Sequence, residues 1–359
     1  MEKNTKKSKN ILFLISSIGG GGAERVACRL VSEFSKNHNV YLMYFMPKEK
    51  TYKISPNVTV IQFFTSNKNE IDLGSKEQNL IRIKEVEKTR IKYKIDITIS
   101  FLYSPNIINV NASGHCIKIL SERNDPEGKG ENYFKEMALC YEKADKIVFQ
   151  SNYIKEKYSI NIKNKSVIIP NPVCVSCLAK KSENKKIVAV GRLVPQKNHK
   201  FLIKAFSLFH KIHTEYHLNI YGIGPLLDEL QNLVKELNLV EYIHFKGFFE
   251  EIHEQIKDAE QFILSSDFEG MPNALLEAMM MGLPCISTNC SGVPEFIEDG
   301  KNGILVDKND IPGLAGAMIK LSEDKNLRET LANNAMKKAE EWKLEKIIKK
   351  WEDLFDLNS

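Results

Sequence analysis

Two carboxylates, Glu269 and Glu277, stand in the run Glu269-Gly-Met-Pro-Asn-Ala-Leu-Leu-Glu277. The run follows an apolar stretch, Gln261-Phe-Ile-Leu-Ser-Ser266, that reads as a buried strand, and it opens a helix over 273–281. Glu269 then lies in the loop. Glu277 lies one turn into the helix, whose first N–H groups lack intrahelical partners at the positive end of its dipole. Such a lip can hold sugar hydroxyls on carboxylates and an anion on amides.

Other loops offer complementary chemistry. Gly191-Arg-Leu-Val-Pro-Gln-Lys197 closes a strand just before a helix. Its guanidinium binds oxygens in a fork and its ammonium is a point charge, a combination that suits a diphosphate. Gly222-Ile-Gly224-Pro225 and Gly247-Phe248 end two further strands, either as ordinary turns or as places where a base or ribose lies close. Gly19-Gly-Gly-Gly22 follows the first strand, and glycines there serve a tight turn or let a ligand approach the backbone. Arg25 and Glu24 stand where a dinucleotide fingerprint needs its third glycine, which disfavours a nicotinamide cofactor. Ser291-Gly-Val-Pro-Glu295 and 300–303 read as loop punctuation. No Asp-x-Asp pair and no His/Asp/Cys cluster has ligand spacing, so no catalytic metal is expected.

The elements that must position these loops alternate along the chain. Strands at 11–17, 40–46, 58–64, 96–102, 117–121 and 146–151 alternate with helices at 23–36, 77–94, 105–112 and 133–143. Residues 167–169 lead into Pro170-Asn-Pro172 and a small-polar, Lys-rich stretch to 186, read as an interdomain linker. The alternation then restarts, with strands at 187–190, 218–221, 243–245, 262–265, 285–288 and 303–306. Helices are expected at 201–213, 226–238, 252–257, 273–281, 294–297, 310–322 and 326–341. A last helix over 344–357 carries Leu344, Ile347, Ile348, Trp351 and Leu354, an apolar stripe that must bury against something. The expected fold class is α/β, two doubly wound parallel sheets in domains 1–172 and 173–342. Ligands bind such sheets at the C-terminal ends of the strands.

Bulk properties agree. The chain has 359 residues, and roughly 150 residues per domain gives two. Hydrophobic content of 43% with 27% charged residues is ordinary for a globular protein, and no apolar stretch is long enough to span a bilayer. The polar, basic opening followed by the short run 11–18 reads as a first core strand, not a secretory signal. A net charge of +5 permits attraction to anionic lipid or acidic substrate, and nothing points to nucleic acid. The seven cysteines include one lone Cys174-Val-Ser-Cys177, and all read as reduced cytosolic thiols.

In order, the tetraglycine with Ala23-Glu24-Arg25, Gly191-Arg-Leu with Lys197-Asn198, Gly222-Ile-Gly224-Pro225, Glu269 to Glu277, and Gly292-Val-Pro-Glu-Phe-Ile297 resemble the GT-B fold retaining glycosyltransferases of family 4. The similarity covers nearly the whole chain; the carboxylate pair in its Gly-Met-Pro-Asn setting is highly specific, the tetraglycine much less so. The nearest members build bacterial lipid-linked or surface polysaccharides, notably the hexosamine transferases that extend undecaprenyl-diphosphate glycans. The resemblance implies two facing Rossmann-like domains, the first binding acceptor and the second binding nucleotide sugar, with 343–359 crossing back to the first. It implies retaining transfer, without a metal, of a hexose or N-acetylhexosamine from a nucleotide diphosphate sugar, UDP-N-acetylgalactosamine being favoured. The acceptor it implies is a glycan or a polyprenyl-diphosphate-linked acceptor.

By the same resemblance, Arg192 and Lys197 bind the diphosphate and offset charge on the leaving group. Glu277 accepts hydrogen bonds from the ribose hydroxyls, and Glu269 holds hydroxyls of the donor sugar, in a positioning role favoured over covalent catalysis. Gly270, Met271, Pro272 and Asn273 contact sugar or phosphate; Gly191, Gly222, Gly224, Gly247 and Phe248 line the donor. Gly20, Gly21 and Gly22 face the diphosphate from the other domain. One departure stands out. Many members carry a His at the end of a first-domain strand; here that strand ends Leu120-Ser-Glu-Arg-Asn-Asp-Pro126 and Arg123 takes its place, with Asn124 and Asp125 as alternatives and His115 read as structural.

The helix over 76–94 is basic, with Lys76, Arg82, Lys84, Lys88, Arg90, Lys92 and Lys94, and Leu80, Ile83 and Ile91 give it a partial apolar face. It reads equally as an anionic-membrane contact or as a solvated face, so the expected location is cytoplasmic, with a peripheral inner-membrane contact on the first reading. Two rivals to a transferase remain: a sugar-nucleotide epimerase on the same fold, and a non-enzymatic sugar-nucleotide-binding subunit.

Overall fold

The computed structural model describes residues 8–19, 21–48, 51–64, 75–123, 130–180 and 182–355. The chain divides into two compact units, 1–171 with 345–359, and 172–344.

The first unit runs β1 (Asn10–Ile15), α1 (Gly22–Phe34), β2 (Asn39–Tyr44), β3 (Thr59–Gln62), α2 (Ser75–Lys92), β4 (Ile97–Phe101), α3 (Tyr103–Asn111), β5 (Ile117–Ser121), α4 (Glu131–Glu142), β6 (Lys146–Phe149), α5 (Asn152–Lys155), α6 (Ile160–Asn164) and β7 (Ser166–Ile168). Its seven strands lie in the order β3-β2-β1-β4-β5-β6-β7, every pair parallel. Ile11 to Ile15 are buried on both faces, as an apolar run in a helix-covered parallel sheet must be. The strand order reverses between β1 and β4, so the tetraglycine after β1 lies at a topological switch point.

The second unit runs β8 (Lys186–Val190), α7 (His199–His210), β9 (His217–Tyr221), α8 (Leu227–Glu236), β10 (Ile243–Gly247), α9 (Ile252–Ile256), β11 (Gln261–Leu264), α10 (Asn273–Met281), β12 (Cys285–Thr288), β13 (Ile304–Val306), α11 (Ile311–Glu323) and α12 (Lys325–Ala339). Its sheet order is β10-β9-β8-β11-β12-β13, again parallel, with the reversal between β8 and β11. The loops carrying Arg192 and Lys197, and Glu269, follow those two strands.

The terminal helix α13 (Leu344–Phe355) buries Ile347, Trp351, Leu354 and Phe355 in the core of the first unit, beside Phe13, Phe34 and Phe101. Each such side chain contributes roughly 1.5–3 kcal/mol of apolar burial, which is the partner the sequence stripe required.

Several expectations need correction. The stretch read as the interdomain linker contains the boundary between the units, at 171/172, and is tied down beyond it: the Val173 N–H donates to the Trp342 carbonyl (2.8 Å) and the Ala179 N–H to the Met281 carbonyl (2.7 Å), both within the second unit. The short helices α5 and α6 lie beyond the sequence signals, being too brief to show a period; α5 is capped by Ser151. On α2, Arg90 is buried rather than basic surface. Its guanidinium donates to the Thr98 hydroxyl (3.2 Å), the Ala112, Ser113 and Asn109 carbonyls and the Asn109 side chain (2.6 Å), closing a polar knot under α3. The expected apolar face of α2 also divides: Ile83 packs inward, while Leu80 and Ile91 are exposed. The side chain of Lys76 lies outside the described residues.

Candidate active site

The loop after β8 and the loop after β11 are laced together at the second switch point. Residues Pro195–Lys197 form a 3-10 turn, and Asn198 takes a left-handed conformation (φ 43°) from which its side chain caps α7 at Phe201 N (3.2 Å). The Asn198 amide donates to the Asp267 carboxylate (2.8 Å). The Asp267 N–H donates to the Gln196 carbonyl (2.9 Å), the Gln196 amide to the Phe268 carbonyl (2.9 Å), and the Ser265 hydroxyl to the Lys197 carbonyl (2.8 Å).

This lacing brings two of the sequence candidates together. Lys197 Nζ lies 2.5 Å from Glu269 Oε1, and the Ser266 hydroxyl donates to the same oxygen (2.6 Å). Glu269 is buried, so the pair and the hydroxyl satisfy a charge removed from water. Among the described residues no donor reaches the other oxygen, Oε2. Below, the Ser291 hydroxyl accepts from the Glu269 N–H (3.3 Å). Gly292 (φ +79°) lets the backbones meet: a Cβ there would lie 2.5 Å from the Glu269 carbonyl oxygen. The run at 291–295 is therefore the floor of the Glu269 loop rather than punctuation. Gly270, Met271 and Pro272 are buried and Asn273 opens α10.

Arg192 is exposed, and its loop is held by its own backbone. Its carbonyl accepts from His199 Nε2 (3.3 Å); burial pushes the His199 pKa down to about 4, so the ring is neutral near pH 7. Gly191 lies under the Lys197 stem, 3.3 Å from where its Cβ would be. At Gly222 and Gly224 a Cβ would meet the Gly191 and Leu193 carbonyl oxygens at 1.9 and 2.3 Å. These glycines are fixed by close packing of the β8 and β9 loops, whatever else they do. Gly247 needs its positive φ (74°) and accepts the Gly222 N–H (2.8 Å), and Phe248 beside it is exposed.

Glu277, buried on α10, has a partner that sequence reasoning missed. His253 Nε2 lies 3.3 Å from Glu277 Oε2, and the Ser176 N–H and hydroxyl lie 3.2 Å from His253 Nδ1. His253 and His199 carried no sequence signal, since neither falls in a motif. Asn198 stood in the motif with Lys197, but its capping role shows only because α7 begins at His199 rather than at the expected 201.

In the first unit Gly21 caps α1, and its carbonyl accepts the Arg25 N–H and the Tyr52 hydroxyl (both 3.1 Å). Gly22 is the first helical residue, and a Cβ at Gly21 would meet the Glu24 carboxylate at 2.1 Å. The amino end of α1 thus already faces a carboxylate. Gly20, Asn124 and Asp125 lie outside the described residues. Arg123 is 9% exposed. Its guanidinium lies over the rings of Phe101 (5.0 Å) and Trp351 (5.8 Å), and one nitrogen donates to the Asn171 side chain (2.6 Å). Its Nε and Nη2 are buried without a hydrogen-bond partner among the described residues. The neighbouring Glu122 carboxylate accepts the hydroxyls of Tyr133 (2.7 Å) and Tyr141 (2.6 Å). His115, expected to be structural, is exposed before β5.

The sequence and the fold have counterparts in known proteins. A family model described as glycosyl transferases group 1 matches residues 177–338. An uncharacterized glycosyltransferase of Methanocaldococcus jannaschii is 30% identical over 290 residues, covering 66% of this chain and 71% of that one. The N-acetylgalactosamine-N,N'-diacetylbacillosaminyl-diphospho-undecaprenol 4-alpha-N-acetylgalactosaminyltransferase of Campylobacter jejuni is 29% identical over 365 residues, covering 94% of this chain and 96% of that one. The crystal structure of Anabaena HepE in complex with UDP and glucose superposes with a TM-score of 0.82 at 18% identity, over 97% of this chain and all of that one, which fixes the architecture as GT-B. A carboxylate–ammonium pair at the switch point of a GT-B unit, within a matched family segment, leads to one conclusion: the chain belongs to the group 1 glycosyl transferases and is a glycosyltransferase.

Proposed function

We propose that the protein is a retaining transferase of family 4 that moves an N-acetylhexosamine or hexose from a UDP-sugar, UDP-N-acetylgalactosamine first, to a polyprenyl-diphosphate-linked glycan. The observation that carries the donor reading is the Lys197–Glu269–Ser266 cluster, in which two donors hold Oε1 of Glu269 and, among the described residues, none reaches Oε2, the oxygen assigned here to a sugar hydroxyl. Cleaving a glycosyl-phosphate bond leaves negative charge on the diphosphate, and Arg192 with Lys197 at the end of β8 offsets it without a metal. Glu269, fixed by hydrogen bonds, positions the sugar, and the leaving phosphate takes the acceptor proton. Glu277 takes the ribose hydroxyls. The acceptor reading is supported by the Campylobacter relative's name.

The test is transfer from a panel of nucleotide sugars to undecaprenyl-diphosphate-linked glycans, with the product anomer read by NMR. An inverted product sinks retention. Epimer formation from donor alone establishes the epimerase instead. Transfer left intact by both Glu269→Ala and Arg192→Ala removes the site assignment.

The exposed face of α2 supports a membrane contact. Among the described residues no helix is long and apolar enough to cross a membrane. Leu80, Ile81 and Ile91 are exposed (59%, 38% and 76%) and share a helical face with the exposed Lys84 and Lys88, Lys92 lying at its edge. Lys84→Glu/Lys88→Glu/Lys92→Glu is expected to weaken flotation with anionic vesicles at least about tenfold, at roughly 1 kcal/mol per cation near the surface. Unchanged flotation refutes the contact. Arg90 is excluded from the set because reversing it would break the buried knot.

A further inference from the structure

The side chain of Glu277 is set by a relay that begins in the backbone of the segment preceding β8. That segment is anchored at Val173 and Ala179 by backbone hydrogen bonds, which fixes the position of the Ser176 N–H between them. A backbone N–H can only donate, so its bond to His253 Nδ1 (3.2 Å) requires the lone pair on that nitrogen. The ring's proton then sits on Nε2, which faces Glu277 Oε2 at 3.3 Å. Both His253 and Glu277 are buried, so this donor acts where water competes poorly.

We propose that His253 is a positioning residue for nucleotide recognition: through the Ser176-fixed tautomer it donates to Glu277 and holds that carboxylate in the orientation that accepts the ribose hydroxyls of the donor. The inference rests on the reading of Glu277 as the ribose acceptor. It assigns to the second unit a contributor to nucleotide selectivity that touches neither the sugar nor the phosphates. Removing the ring's donor takes one of the holds off the Oε2 side of the carboxylate and loosens its orientation, so the effect falls on KM and on ribose selectivity, not on kcat.

The experiment measures competition by UDP and by its 2′-deoxy and 3′-deoxy analogues, together with KM and kcat for transfer, in the unaltered enzyme and in His253→Ala, His253→Phe, His253→Gln and Glu277→Ala. Phenylalanine refills the space without a donor; glutamine restores an N–H near Nε2. The expected result is a KM raised about tenfold in the Phe and Ala variants, the scale of one hydrogen bond to a charged group. The kcat stays within about twofold, preference for UDP over at least one deoxy analogue is lost, and both return in the Gln variant. If Phe keeps the preference that Glu277→Ala loses, the relay is overturned while the ribose reading stands. If Glu277→Ala keeps the preference, the ribose reading falls and the relay's proposed purpose falls with it. Failure of Gln to restore what Phe loses also overturns the relay, because packing then explains the loss.

Discussion

Arg123 permits a test in which stability and activity are expected to part company. Burial pushes its pKa down from 12.5 to about 9, so the guanidinium stays charged at pH 7 at an energetic penalty. The difference is 3.5 (12.5 minus 9), which at 1.36 kcal/mol each is about 5 kcal/mol of unfavourable burial. Against it stand two desolvated ring contacts, with Phe101 and Trp351, at about 2 kcal/mol each. The charged hydrogen bond to Asn171 adds about 2 kcal/mol. These sums nearly cancel. Arg123→Met keeps an unbranched stem and removes both sides, so the first unit is expected to change in stability by less than about 2 kcal/mol. Trp351 lies in the first unit and Trp342 in the second. Urea unfolding followed by Trp351 fluorescence in a Trp342→Phe background therefore isolates the relevant unit. A charge held at no net gain, with two nitrogens unpartnered among the described residues, is expected to serve the reaction. Transfer by Arg123→Met should then fall at least about tenfold, the scale of one lost charge-assisted contact. A loss of more than about 4 kcal/mol, outside the balance of ring contacts and desolvation, would make the arginine a fold pin and refute the reasoning. Unchanged transfer in a folded Arg123→Met would remove it from the chemistry.

Two further outcomes follow from the second unit. Lys197→Met strands a buried Glu269 and is expected to destabilise that unit by about 3 kcal/mol, whereas Glu269→Gln is milder because Lys197 retains an 18% exposed side chain that water can reach. The double variant should recover most of the loss, read by Trp342 fluorescence in a Trp351→Phe background; simple additivity of the two losses would deny the pair. His199 is neutral in the fold down to about pH 4, while the unfolded chain takes its proton near 6.5. Stability is therefore unaffected above 6.5, falls as pH drops from 6.5 to 4, and is lower by about 3 kcal/mol once both states are protonated. His199→Gln should flatten that part of a urea-midpoint profile, and an unaltered acid slope would show that the ring is not the group responsible.

The alternation of elements was legible because both sheets are parallel and their strands are apolar on both faces, as in Ile11–Ile15 and Phe262–Leu264. The stripe on α13 was legible for the same reason: Trp351 and Ile347 have no alternative but burial. The pairing of Lys197 with Glu269 was not. Each residue was recognised separately, but 71 residues lie between them and only the adjacency of β8 and β11 makes them neighbours. Arg90 misled because charge on a helix reads as surface unless the acceptors are visible, and its acceptors come from β4, α3 and the turn after α3. His253 was invisible because its meaning lies in a backbone N–H at residue 176, a donor that every residue except proline carries.

Within the proposed donor reading, Lys197 and Arg192 have different duties although both are cations at one strand end. An ammonium has three donors and Glu269 takes one, so Lys197 can meet a phosphate oxygen without leaving the carboxylate. Its charge is already half spent, and its place is fixed by the Lys197 carbonyl's bond to Ser265. Lys197 therefore contributes geometry: it ties the position of the leaving phosphate to the carboxylate that holds the sugar. Arg192 is exposed, with its loop pinned at the carbonyl by His199, and its planar, pre-organised fork brings a charge that no carboxylate pairs among the described residues. Affinity for the diphosphate then rests chiefly on Arg192, and alignment of the scissile bond on the Lys197–Glu269 pair.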